Sequence, residues 1–207
     1  LSGNGRGFCA GLDMGSFQSM SDQKSDQSAG NLQSFDDGPA NNAQRPAYAW
    51  KRLPVPVIAA IHGVSFGGGL QIALGADIRI AAPDAKLSVM EIKWGLIPDM
   101  SITQTLRDLI PIDVAKELTF SGRILSGKDA SDLGLVTRVA ENPLEAAMAL
   151  AKEIAGKNPD AIRFGKQLFE ESWHADEATG LAMESRLQTT LSGTENQLEA
   201  LTVPYTH

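Results

Sequence analysis

Two glycine-dense stretches hold the residue types and spacings from which chemistry can be built: Gly7-Phe8-Cys9-Ala10-Gly11-Leu12-Asp13 and Gly63-Val64-Ser65-Phe66-Gly67-Gly68-Gly69. Loops so poor in side chains offer their main chain. A helix beginning near Leu70 places a main-chain N–H of the glycine triplet at the positive end of its dipole, where it can hold a developing oxyanion. The 7–13 loop can present a second amide, and two such donors converging on one oxygen would stabilise an oxyanion such as an enolate. Neither stretch is a nucleotide fingerprint, because Ile72 stands where G-x-G-x-x-G needs its third glycine after Gly67 and Gly69, and no G-x-x-x-x-G-K-[ST] occurs. Gly63 to Gly67 does fit G-x-S-x-G between a strand and a helix, the context of a nucleophile elbow. That makes a Ser65 serine hydrolase the rival from another enzyme class. It requires a downstream acid and then a histidine, and the downstream histidines are His174, in a helical region, and His207, at the end of the chain. Three scattered histidines and a lone cysteine make no metal site. Cys9 reads as a small buried residue, His62 as structural, and Asp13 as a turn or cap.

The elements that must position these loops read as α/β. Val57 to Ile61 is continuously apolar after Pro54 and Pro56, as in a strand buried on both faces. It runs into the glycine turn, and Leu70 to Leu74 follows as a core helix. Ala76 to Ile80 and Lys86 to Val89 read as further strands, so strand and helix alternate. From Ser101 onward, apolar residues recur at three and four spacing, which predicts helices over 101–109, 113–120, 128–133, 143–155, 159–173 and 178–191. Asp113 and the Asn142-Pro143 pair are N-terminal signals. Gly134-Leu135-Val136 reads as a brief return to the sheet. The polar 15–45 stretch reads as a surface loop with room for one short helix, either a linker or a substrate lid. Trp173 and Met183 belong to the core or face another subunit.

Composition narrows the function classes. Eighteen basic against 25 acidic side chains give a net charge of −7, with no basic stripe, which argues against a nucleic-acid or anionic-membrane partner. One cysteine excludes an intrachain disulfide and fits a reducing cytoplasm or an organelle matrix. No apolar run is long enough to cross a bilayer. Because the chain opens on Leu1, at what reads as a strand end, and not on Met, an N-terminal piece with any targeting signal is expected to precede it.

Three blocks together resemble a known family. GFCAGLD at 7–13 and PVIAAIHGVSFGGGLQIALGADIRIAAPDAKLSVMEIKWGLIPD at 56–99 look like signature blocks of the crotonase, or enoyl-CoA hydratase/isomerase, superfamily, and SGRILSGKDASDLGLVTRV at 121–139 is similar to a third. The resemblance implies a ββα spiral core over 1–140 and a C-terminal helical oligomerisation region over 141–207. It further implies an acyl-CoA thioester substrate that brings its own coenzyme A, no separate cofactor, and a homotrimer or hexamer.

Carried over residue by residue, the resemblance places the oxyanion-hole amides at Leu12 and Gly68, with Ala10 and Gly67 as substrate-binding neighbours. The two catalytic glutamates of hydratases fall on Gln71 and Glu91. An amide at 71 can position water but cannot accept its proton, which speaks against efficient hydration. Asp99 falls where dienoyl-CoA isomerases of the family carry a second acid, although a helix N-cap is its other reading. Glu91 as base and Asp99 as acid favour double-bond isomerisation through an enolate, and Glu91 alone is compatible with a 3-enoyl to 2-enoyl shift. The alternatives are a 2-enoyl-CoA hydratase that tolerates Gln71, the Ser65 hydrolase, and a non-catalytic acyl-CoA binder.

Overall fold

The computed structural model describes residues 1–12 and 38–202, so Asp13, His207 and most of the polar 15–45 stretch lie outside the described residues. The chain divides into two compact units, Leu1–Arg52 with Val57–Ala147, and Leu53–Pro56 with Met148–His207.

The first unit is a spiral of parallel strands. β1 (Ile58–Ile61), β2 (Val64–Phe66) and α2 (Gly68–Leu74) make one ββα turn, while α1 (Arg45–Arg52) precedes them and packs on α2. The next turn repeats the order with β3 (Ile78–Ala81) and β4 (Lys86–Ser88), followed by a 3₁₀ turn at Glu91–Trp94 and the short α3 (Ile102–Thr105). Equivalent strands stack: β1 pairs in parallel with β3, with Ile58 opposite Ile78, and β2 with β4, with Ser65 opposite Leu87. After α4 (Ile112–Ser121), β5 (Leu125–Ser126) joins β4 antiparallel. Past α5 (Gly127–Asp132), β6 (Arg138–Val139) extends the β1-β3 sheet in parallel. The opening residues add to the same ladders on the other side, through parallel bridges Ser2 to Ala60 and Cys9 to Ser65.

Continuous apolar sequence explains β1, which is buried along its whole length because a parallel sheet inside a spiral is covered on both faces. Ile61, Leu70, Ile80, Leu87, Leu118, Leu125 and Leu135 are each at most 2% exposed, and each such side chain contributes about 1.5–3 kcal/mol of transfer free energy. Polarity enters this core through Arg79, whose guanidinium donates to the carbonyls of Leu135 at 2.9 Å and Ala76 at 2.5 Å. Burial pushes its pKa down to about 10, against the opposing charge of Asp77.

Three expectations are corrected. Val64-Ser65-Phe66 is a strand and not part of a glycine turn, because its backbone pairs with β4 on one side and Cys9 on the other. Gly134-Leu135-Val136 is not strand. Gly134 turns the chain at φ +86°, Arg79 takes the Leu135 carbonyl, and the Val136 N–H goes to Ala130, so the ladder resumes only at Arg138. The helix expected over 101–109 is confined to Ile102–Thr105. The sequence reading also omitted α1, which begins after a reciprocal pair in which Gln44 N donates to Asn41 Oδ1 and Asn41 N to Gln44 Oε1, each at 3.0 Å.

α6 (Pro143–Ala155) is divided between the units, with Asn142 Oδ1 accepting from the Glu145 N–H before it. The second unit pairs α7 (Pro159–Ser172) with α8 (Glu177–Leu191) and ends in α9 (Glu195–Thr202). Asn158 caps α7 and Asp176 caps α8 through side-chain oxygens, as their short polar side chains favour. Met183 and Leu187, one turn apart on α8, are buried, whereas Trp173 is exposed, edge-to-face with Phe169. No helix among the described residues is long and apolar enough to cross a membrane.

Candidate active site

The spiral brings Gln71 and Glu91 together. Gln71 lies within α2 and is 1% exposed; Glu91 opens the 3₁₀ turn that follows β4. The β2-β4 pairing sets those two elements side by side, and Gln71 Nε2 donates to Glu91 Oε1 at 2.6 Å. The Gln71 carboxamide is held at its other end by the Met100 N–H, which donates to Oε1 at 2.8 Å. Glu91 Oε2 is buried and has no hydrogen-bond partner among the described residues. Burial raises the Glu91 pKa, helped by the nearby charge of Asp99 and opposed by backbone N–H groups and Gln71. With Oε1 clamped by Gln71 and Oε2 available, the carboxyl has the geometry of a general base.

The first glycine loop is laid along β2 by backbone bonding. Phe8 N donates to His62 O at 2.9 Å, Cys9 N to Val64 O at 3.0 Å, and Phe66 N to Cys9 O at 3.0 Å. Residues 8 and 9 therefore run as a further strand beside β2, with Cys9 half-buried rather than fully enclosed. The loop closes onto the start of α2 so tightly that a Cβ on Gly69 would collide with the Cys9 carbonyl and lie 2.7 Å from its Cβ. One turn of the loop later, a Cβ on Gly11 would lie 2.9 Å from Phe66 O and 4.0 Å from Gly68 N. The Met100 thioether packs on Gly68, where a Cβ would come within 2.7 Å of Sδ.

Ala10 and Gly67, the two positions expected to neighbour the substrate, differ from one another. Ala10 and Leu12 are exposed beside Gly11. Gly67 spends its N–H on Ser88 O at 3.0 Å and its carbonyl on Gln71 N at 3.1 Å, so it has no free amide for a ligand. Its missing side chain matters instead, because at φ +53° a Cβ would stand 3.3 Å from Glu91 Oε1.

Asp99 is exposed and is not a helix cap, since Ser101 occupies the N-cap of α3. Ser65 is 0% exposed in the middle of β2, so its hydroxyl is not raised on an elbow, and its Oγ has no partner among the described residues. His174 lies in the second unit, and His62 Nε2 contacts the Gly5 carbonyl. Among the described residues no group of three or more His, Cys, Asp or Glu side chains is placed to hold a metal ion.

A family described as enoyl-CoA hydratase/isomerase matches residues 1–203. The chain belongs to the enoyl-CoA hydratase/isomerase family. It is 36% identical over 200 residues to the human mitochondrial methylglutaconyl-CoA hydratase, covering 94% of this chain and 56% of that protein. It is equally 36% identical over 200 residues to mouse enoyl-CoA hydratase domain-containing protein 2, mitochondrial, covering 94% and 64%. The chain thus spans between about half and two thirds of the length of these curated relatives. The crystal structure of an enoyl-CoA hydratase from Bacillus anthracis superposes with a TM-score of 0.84 at 33% identity, covering 97% of this chain and 74% of that one. The fold is the α/β crotonase fold of the enoyl-CoA hydratase/isomerase family.

Two members of the site escaped the sequence reading. Met100 acts through its backbone N–H and its thioether, and nothing in a lone methionine announces either. Ser101, next to it, holds φ +62°, the only positive φ outside glycine among the described residues. Its Oγ donates to the Met100 carbonyl at 2.7 Å, a local bond that supports the left-handed turn.

Proposed function

We propose that this chain acts on an unsaturated acyl-CoA thioester and adds water across the double bond next to the thioester. The observation that carries the reading is the Glu91 carboxylate, clamped through Oε1 and open at a buried Oε2, beside the glycine-lined start of α2. In this reaction water oxygen bonds to C3 while Glu91 Oε2 takes its proton. The electron pair of the C2–C3 double bond moves to the thioester oxygen, where the Leu12 and Gly68 N–H groups hold the enolate. Collapse of the enolate returns the proton from Glu91 to C2, so one base serves both halves. The word hydratase in the names of the human relative and the bacterial structure supports this reading over isomerisation.

Isomerisation, the reaction the residue types favoured, is kept as the second reading on one observation: the Asp99 charge acts on Glu91. Glu91 would remove a proton at one end of a conjugated system and Asp99 return one at the other. Assembly as a homotrimer or hexamer and residence in a reducing cytoplasm or organelle matrix complete the proposal. The exposed Ile112 and Phe120 of α4 and the single Cys9 are what support them.

The deciding experiment incubates the chain separately with a 2-enoyl-CoA and a 3,5-dienoyl-CoA, followed by mass spectrometry and ultraviolet absorbance. Gain of one water by the 2-enoyl thioester is expected. A dienoyl thioester that rearranges at unchanged mass, with the 2-enoyl thioester untouched, establishes the isomerase instead. Binding of both without change establishes a non-catalytic binder.

A further inference from the structure

We propose that Gln71 is a positioning residue that clamps Glu91 from behind, and that the Met100–Ser101 turn sets the direction of that clamp. This rests on the reading of Glu91 as the base. The argument is one of donors and acceptors. A backbone N–H can only donate, so the Gln71 atom facing Met100 N at 2.8 Å is the oxygen, and the amide group therefore faces Glu91. An amide nitrogen can only donate, so Glu91 Oε1, at 2.6 Å, is held as an acceptor. A proton arriving at Glu91 consequently goes to Oε2, the oxygen with no partner among the described residues.

Each part of the clamp is immobilised. Gln71 is 1% exposed within α2, and Ser101 is 8% exposed at the head of α3, where its carbonyl accepts from Gln104 N at 2.9 Å. The left-handed turn at Ser101 brings the Met100 N–H toward the buried carboxamide and lays the Met100 thioether on Gly68, so one turn touches both the base's support and the glycine start of α2. Asp99 is the charged group acting on Glu91, and it works against the clamp by favouring the protonated carboxyl.

The readout is the titration of the Glu91 carboxyl itself, by carbon NMR of glutamate-labelled chain, with Glu91→Gln used to assign the signal and circular dichroism to verify folding. Gln71→Met removes the donor and keeps the bulk, and is expected to raise the Glu91 pKa by about one unit or more. Turnover should fall about 10- to 100-fold in kcat at little change in KM, the signature of a displaced reacting group. Gln71→Glu, which retains a hydrogen-bonding side chain, should split the titration into two steps shared by a coupled pair. An unmoved Glu91 titration in Gln71→Met, or independent single titrations in Gln71→Glu, overturns the clamp. Wild-type chain that titrates as described yet alters no unsaturated acyl-CoA supports the clamp and overturns the proposed reaction, so the two failures are distinguishable.

Discussion

Gln71 Nε2 and Glu91 Oε1 lie 2.6 Å apart although 20 positions separate them in sequence. The contact exists because β2 and β4 are neighbours in one ladder and each hands its chain to a site residue within a few positions. Replacing Glu91 by Gln keeps the shape and still offers an oxygen to the Gln71 amide, but it abolishes the proton-accepting atom. Turnover of a 2-enoyl-CoA is expected to fall about 10²- to 10⁴-fold with acyl-CoA affinity nearly unchanged, as read by steady-state absorbance and titration calorimetry. A fully active Glu91→Gln chain removes Glu91 from the mechanism.

The same substitution should stabilise the fold at neutral pH. Burial raises the Glu91 pKa above the ordinary 4.5, so between that value and the folded-state pKa the native chain binds more protons than the unfolded one. Stability contributed by this group is therefore present below about pH 4.5 and is lost as pH rises through the folded pKa. Glu91→Gln cancels that loss, and each kcal/mol regained shifts Tm by about 2–4 °C in a chain of this size. Calorimetric scans should show the variant's advantage at neutral pH and its disappearance in acid; an advantage that is the same at both would point to packing instead.

Asp99 provides the pH test that also separates the two reactions. Its charge favours protonated Glu91, so Asp99→Asn should move the acid limb of the kcat profile to lower pH while leaving hydration within about threefold of wild type. An isomerase that needs Asp99 to return the proton would instead lose about 10²-fold or more.

Much of this site was legible because glycine blocks and the Glu91 position are sequence-local signals, whereas the contacts between them are not. Gln71 and Glu91 were paired in sequence only as two family positions, which suggested an amide orienting water. The structure turns that amide onto the carboxylate because Met100 N occupies its oxygen. A backbone donor has no residue signature, and neither does a left-handed serine. Among the elements, α6 was read at its observed bounds because Asn142-Pro143 marks its start and three-four spacing persists to Ala155. β2 was lost because three residues between glycines resemble a turn until their ladder partners are known.

The approach of the two glycine loops yields a test of their backbone contact. A Cβ on Gly69 would collide with the Cys9 carbonyl, and neither the helix nor the β-paired loop can retreat without breaking the Cys9 to Phe66 bond. Gly69→Ala should cost about 1–3 kcal/mol in urea unfolding and reduce turnover further than Gly165→Ala, a control on α7 where a Cβ meets nothing within 4 Å. Equal stability of the two variants would show that the loop lies elsewhere.

Ser101 allows the turn beneath the clamp to be tested without touching a side chain at the reacting end. At φ +62° a serine bears strain that glycine does not, while a β-branched residue there is a severe outlier. Ser101→Gly should alter stability by no more than about 1 kcal/mol, the relief of strain offsetting the lost Oγ bond to the Met100 carbonyl. Ser101→Val, buried in the same position, should cost about 2 kcal/mol or more and lower kcat, because a turn forced out of the left-handed region withdraws the Met100 N–H from Gln71. Thermal unfolding and kcat measured on both variants read the two effects together. Valine tolerated with full activity would mean that Gln71 keeps its orientation without Met100.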